Sequence, residues 1–163
     1  MKLSGSLAAM LFSSVICTTA SAVTDVVNIT VNGTLTRPPC TLTSGKALSA
    51  NFGSLRYDQV AAAATIDIPV TMNCPANSVL AVSILAARQI SGSSTQASTG
   101  KENLAYSLLW KSDSSPANLT GVKRNLTNQN GSVDLSLKAK LIALGALTEG
   151  EFSTTAVVSI EYL

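Results

Sequence analysis

The sequence predicts an all-β fold, an antiparallel β-sandwich of immunoglobulin-like type. Apolar residues recur at every second position in block after block, the repeat expected of strands with one buried face. Polar stretches rich in Ser, Gly and Asn at 91–103 and 112–121 separate some of these blocks and are interpreted as loops. No segment has a convincing helical repeat, and the alanine run at 61–64 is long enough for a turn at most.

Six blocks carry the alternation, and each places one set of residues on a predicted buried face. In chain order the sets are Val27, Ile29, Val31 and Leu35; Ile66, Ile68, Val70 and Met72; Leu80, Val82, Ile84 and Ala86; Leu104, Tyr106, Leu108 and Trp110; Val133, Leu135, Leu137, Ala139 and Leu141; and Phe152, Thr154, Ala156, Val158, Ile160 and Tyr162. Because Tyr106 and Trp110 share a face, we expect them to pack in the core rather than form a sugar-stacking platform.

The composition argues against several classes of function. The chain has 163 residues, enough for one domain with a sizeable core. Its net charge is +2 and its 11 basic residues are scattered, so there is no nucleic-acid footprint. Histidine is absent, which removes Ser-His-Asp and Cys-His catalysis and zinc sites that need imidazole. We therefore expect a non-enzymatic protein with no cofactor, no metal site and no small-molecule substrate.

Residues 1–22 have the pattern of a secretory signal peptide. A basic residue near the start is followed by a largely apolar run at 7–17 and by the small-x-small cleavage pattern Ala-Ser-Ala at 20–22. The run is shorter than the roughly 20 apolar residues of a membrane span. A lipoprotein anchor at Cys17 is the alternative, although Ile16 stands where a small residue is expected. The mature chain is predicted to be exported.

Signal removal leaves two cysteines, Cys40 and Cys74, in an exported chain, which favours one disulfide between them. They are 34 residues apart. The chain-entropy relation gives such a bridge an upper value of roughly 3.8 kcal/mol. A reactive thiol pair is the alternative, but the sequence has neither CxxC spacing nor a nearby cluster of bases.

The first alternating block is set apart from the rest by two prolines, Pro38 and Pro39. Proline stiffens the chain, removes backbone donors and restricts the residue before it to extended geometry. Residues 23–37 are therefore uncoupled from the part of the chain that begins at Cys40. Two interpretations remain open: an ordinary first strand of the chain's own sheet, or an arm that pairs with the sheet of another protein.

Motifs along the whole mature chain resemble those of type 1-like subunits of chaperone–usher fimbriae. The segment ITVNG at 29–33 followed by Pro-Cys at 39–40 is similar to the N-terminal extension of these subunits, and IPVTMNC at 68–74 to their second-cysteine strand. The ending is more specific, because Gly150 is fourteenth from the C-terminus, Tyr162 is penultimate, and alternating residues fill the gap.

The resemblance implies an incomplete immunoglobulin-like sandwich that lacks its last strand and is completed by a donor strand from another subunit. Residues 23–37 would be the donor-strand extension and 38–163 the pilin domain. The donor residues would be Val27, Ile29, Val31, Gly33 and Leu35. The groove and chaperone-recognition strand would comprise Gly150, Phe152, Thr154, Ala156, Val158, Ile160, Tyr162 and Leu163.

The resemblance also implies partners and a location. They are a periplasmic pilus chaperone, an outer-membrane usher and neighbouring fimbrial subunits, with export through the periplasm to a surface fimbrium that supports cell adhesion. The short extension most resembles that of a minor or adaptor pilin. The terminal Leu163 departs from the polar residue that other members often carry.

Two other classes of function compete with a fimbrial subunit. A self-sufficient secreted carbohydrate-binding β-sandwich would fold alone and expose aromatic residues, of which this chain has few: one Trp and three Tyr. A small hydrolase would need a base and a nucleophile, and no constellation of the two is apparent.

Overall fold

The computed structural model describes residues 24–36 and 38–163, so the predicted signal peptide lies outside the described residues. The chain divides into two units, one ending at Leu35 and the other beginning at Thr36. In the first unit, residues 24–35 form neither helix nor strand. The strand predicted for this block is therefore not formed within the chain.

The second unit is built almost entirely of antiparallel strands, which confirms the predicted all-β class. Its strands are β1 (Thr41–Leu42), β2 (Ile66–Ile68), β3 (Thr71–Ala86), β4 (Ala97–Ser98), β5 (Leu104–Trp110), β6 (Arg124–Asp134), β7 (Leu137–Ala143) and β8 (Ala156–Tyr162). The one helical element among the described residues is a 3-10 helix at Tyr57–Ala62. No helix in this part of the chain has the length and apolar character needed to cross a membrane.

The strands form two sheets whose apolar faces make one core. In the first sheet β3 is central and pairs with β1, β6 and β8. The second sheet has the order β2-β7-β5-β4. The fully buried core side chains are contributed by both sheets and by the loop before β6, and the largest are Met72, Leu80, Val82, Ile84, Leu119 and Leu137.

Two neighbouring stretches of chain cross from one sheet to the other at the same level. The first crosses at Val70, between β2 and β3, and the second at Leu135 and Ser136, between β6 and β7. Leu135 N donates to Val70 O at 2.8 Å, and Val70 N donates to the Ser136 hydroxyl at 3.2 Å. The predictions of one strand over 66–72 and of one strand over 133–141 are therefore both wrong: the residues of each block face one core, but they belong to two sheets.

Several elements were not predicted because they lack alternation. β6 carries mainly polar residues, and its register against β3 shifts twice between Cys74 and Leu80. The loop predicted at 112–121 contains the fully buried Ala117 and Leu119. The alanine run contributes its first two residues to a 3-10 helix, which is longer than the predicted turn because Val60 anchors it in the core.

Candidate functional site

β8 is a strand with one paired edge and one open edge. It pairs with β3 over its whole length, from Ala156 opposite Ala86 to Tyr162 opposite Leu80. No other strand of the described residues pairs with it. Half of its backbone N–H and C=O groups therefore lack a ladder partner, and such an edge is a template for another strand.

The inward face of β8 is only partly covered. Ala156, Val158 and Ile160 pack against the core but remain partly exposed, whereas Val82 and Ile84 on the neighbouring strand are 1% exposed. The outward Val157 is 61% exposed. The predicted alternation of this strand is thus present, but its apolar face lies at a gap in the core.

A cavity of about 700 Å³ lies at the start of this last segment of the chain. Its walls come from residues 49–60 and 147–152, with Leu104 of β5 also contributing. The apolar side chains Phe52, Leu147 and Phe152 line it and pack against the core. The cavity could therefore accept an apolar side chain from outside the domain.

Gly150 lies in the cavity wall and requires the absence of a side chain. Its φ is +127°, in the region that L-residues with a Cβ rarely adopt. A Cβ there would also lie 3.1 Å from Lys101 Nζ, which donates a hydrogen bond to Glu149 O at 2.8 Å. The glycine singled out by its position in the sequence therefore has a local structural reason.

The predicted strand over 152–162 forms only from Ala156 onward, which corrects its start. Before it, the Thr154 hydroxyl donates to Ser98 O at 3.2 Å, and Ala87 N donates to Thr155 O at 3.0 Å.

Burial raises the pKa of the Tyr106 phenol. The neighbouring Thr154 hydroxyl opposes this shift.

The far end of β8 is held by its backbone while its side chains are exposed. Leu163 N donates to Val79 O at 3.0 Å, and Lys123 Nζ lies 2.7 Å from Glu161 Oε2. Tyr162 and Leu163 are both exposed. These two residues are therefore accessible to a binding partner.

The segment before the two prolines exposes the apolar residues that were predicted to share a strand face. Val27, Ile29, Val31 and Leu35 are between 81% and 102% exposed. A Cβ added at Gly33 would meet no atom within 4 Å. The residues predicted to form one face of a strand are thus present in a segment that has no strand partner in the structure.

The predicted disulfide between Cys40 and Cys74 is confirmed. Both residues are buried and their Cα atoms are 4.2 Å apart. Cys40 lies directly before β1 and Cys74 lies within β3, so the bridge anchors the start of the domain to its central strand.

A second, smaller cavity of about 310 Å³ lies beside Trp110. The indole is 7% exposed and is covered by the Arg124 guanidinium, 4.8 Å from the ring centroid. Asp113 lies 3.3 Å from that guanidinium. Trp110 therefore packs in the core, as predicted, and its face is not available for stacking on a sugar.

Sequence reasoning missed residues 49–56, which form one wall of the 700 Å³ cavity. Residues 49–56 form no regular element, although Ala50 and Phe52 pack against the core. The only sequence feature that pointed to their burial was the presence of apolar residues in a polar stretch, and these residues follow no regular spacing. Within the described ranges, no group of three His, Cys, Asp or Glu residues could hold a metal ion.

Comparisons with known proteins agree on the architecture. The chain resembles the crystal structure of the P pilus rod subunit PapA (TM-score 0.65, 20% identity, 77% of this chain and 100% of that chain). It also resembles a subunit in a chaperone–usher pilus structure concerned with rod uncoiling (TM-score 0.61, 19% identity, 88% and 99%). A third similar structure is the P pilus adaptor subunit PapF (TM-score 0.57, 22% identity, 77% and 97%).

These likenesses confirm that the fold is the immunoglobulin-like fold of pilins. No curated protein sequence matches the chain. The profile of one family, described as fimbrial protein, matches residues 29–163, which include the exposed segment from Ile29 onward, the disulfide and the open-edged strand. The chain belongs to the fimbrial protein family.

Proposed function

We propose that this fimbrial protein is a structural, non-enzymatic pilus subunit that polymerises by donor-strand exchange. One subunit's residues 23–37 add to the open edge of β8 in the next subunit. The observation that carries the proposal is the pair of unsatisfied features in one chain: a strand-like apolar segment without a sheet, and a sheet edge without a strand. β-Strand addition satisfies both, and donor-strand complementation of pilins is an established example of this mode of binding.

The two features match in length and in pattern. Nine residues from Val27 to Leu35 span roughly 30 Å as a strand, enough to run the length of the seven-residue β8 and reach beyond it. The four apolar side chains would enter the partly covered core, and Gly33 suits a place where backbones approach closely. A slip by one residue would direct Asn28, Thr30 and Asn32 inward, so the register is strongly specified.

The same features support the route to assembly. We propose that a periplasmic chaperone first covers the open edge and holds the exposed Leu163 carboxylate, and that an outer-membrane usher then exchanges it for the next subunit's extension. The fimbrium would lie at the cell surface and support adhesion. The short extension supports a place as a minor or adaptor subunit, although similar structures include both a rod and an adaptor subunit.

The test is thermal unfolding of two purified proteins that contain residues 38–163. One ends at Leu163, and the other continues through a flexible linker into a copy of residues 23–37. Each buried apolar side chain contributes about 1.5–3 kcal/mol before ordering costs. We expect the added segment to raise the melting temperature by roughly 20 °C. Equal melting of two well-folded proteins would contradict the proposal and favour the self-sufficient carbohydrate-binding sandwich.

A matched pair of variants in the added segment tests its register. Ile29→Asp would place a carboxylate in the core and abolish most of the gain, because an unpaired buried charge is strongly unfavourable. Thr30→Asp carries the same charge on the opposite face and should retain most of the gain. Equal effects of the two substitutions would show that the segment does not bind as a strand in this register.

A further inference from the structure

We propose that Asn32 is a site of spontaneous deamidation that acts while residues 24–35 are unpaired and is suppressed once they are held as a strand. The first half concerns the free chain alone. The second half, suppression on pairing, rests on the proposed donor-strand function.

The chain contains the dipeptide Asn-Gly twice, in two backbone environments. Asn32 and Gly33 are exposed, lie outside any strand, and leave the space around Gly33 open. Asn130 is also exposed, but it lies in β6 between two residues that pair with β3: Gln129 opposite Ser78 and Gly131 opposite Cys74. The two sites share sequence and asparagine exposure, and they differ in whether a sheet holds the backbone.

The reaction requires the Gly33 nitrogen to reach the side chain that precedes it. After losing its proton, this nitrogen attacks Cγ of Asn32; a C–N bond forms and ammonia leaves, which closes a five-membered succinimide. Water then adds to one of the two ring carbonyls and opens the ring to aspartate or isoaspartate, without any change of oxidation state. Glycine favours the attack because it has no Cβ to crowd the nitrogen.

A β-ladder opposes the same attack. Extended φ and ψ values hold the following nitrogen away from the side-chain carbonyl carbon, and the ladder restrains the backbone from rotating. Asn130 lies at a register shift, and Gly131 has a φ of +64°. The backbone at Asn130 is restrained by the pairs on either side, Gly131 opposite Cys74 and Gln129 opposite Ser78, whereas Asn32 has no such pairing. Pairing of residues 23–37 with β8 would restrain the backbone at Asn32 in the same way.

The products would differ in their effect on strand donation. Aspartate leaves the main chain unchanged and adds a negative charge on the predicted outward face. Isoaspartate places one extra carbon in the main chain, lengthening it by about 1.5 Å between Val31 and Gly33. Val31 and Leu35 could then no longer occupy one register against β8. Free subunits would therefore lose the ability to donate this strand as they age.

The first arm of the test measures both asparagines in the same molecule. The exported chain, residues 23–163, is incubated at mildly alkaline pH, and peptide mass spectrometry and isoaspartyl methyltransferase labelling follow conversion at each site. We expect Asn32 to react at least about tenfold faster than Asn130, a barrier difference of about 1.4 kcal/mol. Equal rates, or a faster reaction at Asn130, would overturn the proposal.

Matched variants confirm the assignment. Asn32→Gln should abolish the isoaspartate signal because a glutamine would have to close a larger ring, whereas Asn130→Gln should leave the signal in place. Gly33→Ala should slow conversion at Asn32 by crowding the attacking nitrogen. An isoaspartate signal that persists undiminished in the Asn32→Gln protein would show that the reactive residue lies elsewhere.

The second arm tests suppression. Monomer and polymer of the same chain are separated by gel filtration and aged in parallel, and conversion at Asn32 is compared between them. We expect the rate in the polymer to fall to that of Asn130; a polymer in which Asn32 reacts as fast as in the monomer would overturn the second half. If no polymer forms, the donor-strand proposal fails, while the first arm still decides whether Asn32 is the reactive site.

Discussion

β3 and β8 are neighbours in one sheet and share an alternating apolar pattern, but their inward faces are buried to different degrees. β3 has partners on both edges: β8 on one, and β6 together with the 119–121 segment on the other, where Ala86 N donates to Leu119 O at 2.9 Å. β8 has a partner on one edge only within the described chain. Alternation therefore indicates which face turns inward, whereas neighbouring strands decide how completely that face is buried.

Removal of the disulfide between Cys40 and Cys74 of β3 should have the largest effect on stability. Replacing both Cys40 and Cys74 by alanine removes a bridge whose upper value is roughly 3.8 kcal/mol. We expect a loss of free energy of unfolding approaching that value in urea titrations. The wild-type protein under reducing conditions is the control and should behave in the same way. An unchanged midpoint would mean that the bridge does not stabilise β3.

Truncating a buried side chain of β3 should lower the free energy of unfolding by somewhat less. Ile84→Ala leaves a cavity at a site that is 1% exposed, and we expect a loss of about 3 kcal/mol. The loss should be the same with or without an added donor segment, because this site is already covered. Leu85→Ala on the outward face of β3 is the matched control and should cost much less. If the loss of stability in Ile84→Ala differed between the proteins with and without the donor segment, Ile84 would not be fully covered by the domain itself.

The loss of stability caused by truncating an inward side chain of β8 should depend on whether the donor segment is present. Val158→Ala in the domain without a donor should cost only about 0.8 kcal/mol, because the side chain is partly exposed. With the linked donor segment present, the cost should rise to about 2 kcal/mol, since the removed methyl groups would then be fully buried. Val157→Ala on the exposed face should change little in either protein. Equal costs at Val158 in the two proteins would show that the donor does not cover it.

The smallest expected effect is at the sheet crossing beside β3. Hydrogen bonds from Ser136, including Ser136 N to Asp134 Oδ1 at 2.8 Å, lower the pKa of the Asp134 carboxyl. The ionised Asp134 carboxylate therefore stabilises the folded protein above the unfolded-state pKa, and this stabilisation is lost as the pH falls through the lower folded-state pKa. Asp134→Asn should reduce the loss of stability on acidification, measured by urea unfolding at neutral and acid pH. Identical pH dependence in both proteins would contradict this assignment.

Much of the fold and part of the site could be predicted from local patterns. The inward residues of β3 and β5, the pairing of Cys40 with Cys74 and the core position of Trp110 were all predicted and are observed. These features follow from period-2 burial and from the chemistry of an exported chain. β6 and the wall at 49–56 could not be predicted, because polar or irregular segments are held by partners distant in sequence.

The sequence by itself determined the β class, the faces of the strands, the disulfide and the presence of an apolar segment in front of two prolines. Only the tertiary structure decided that the blocks at 66–72 and 133–141 each divide between two sheets, that β8 begins at Ala156, and that its inward face is partly uncovered. The physical reason is that side-chain alternation is a local property of one strand. Edge pairing and depth of burial depend on backbone hydrogen bonds and contacts with segments that are remote along the chain.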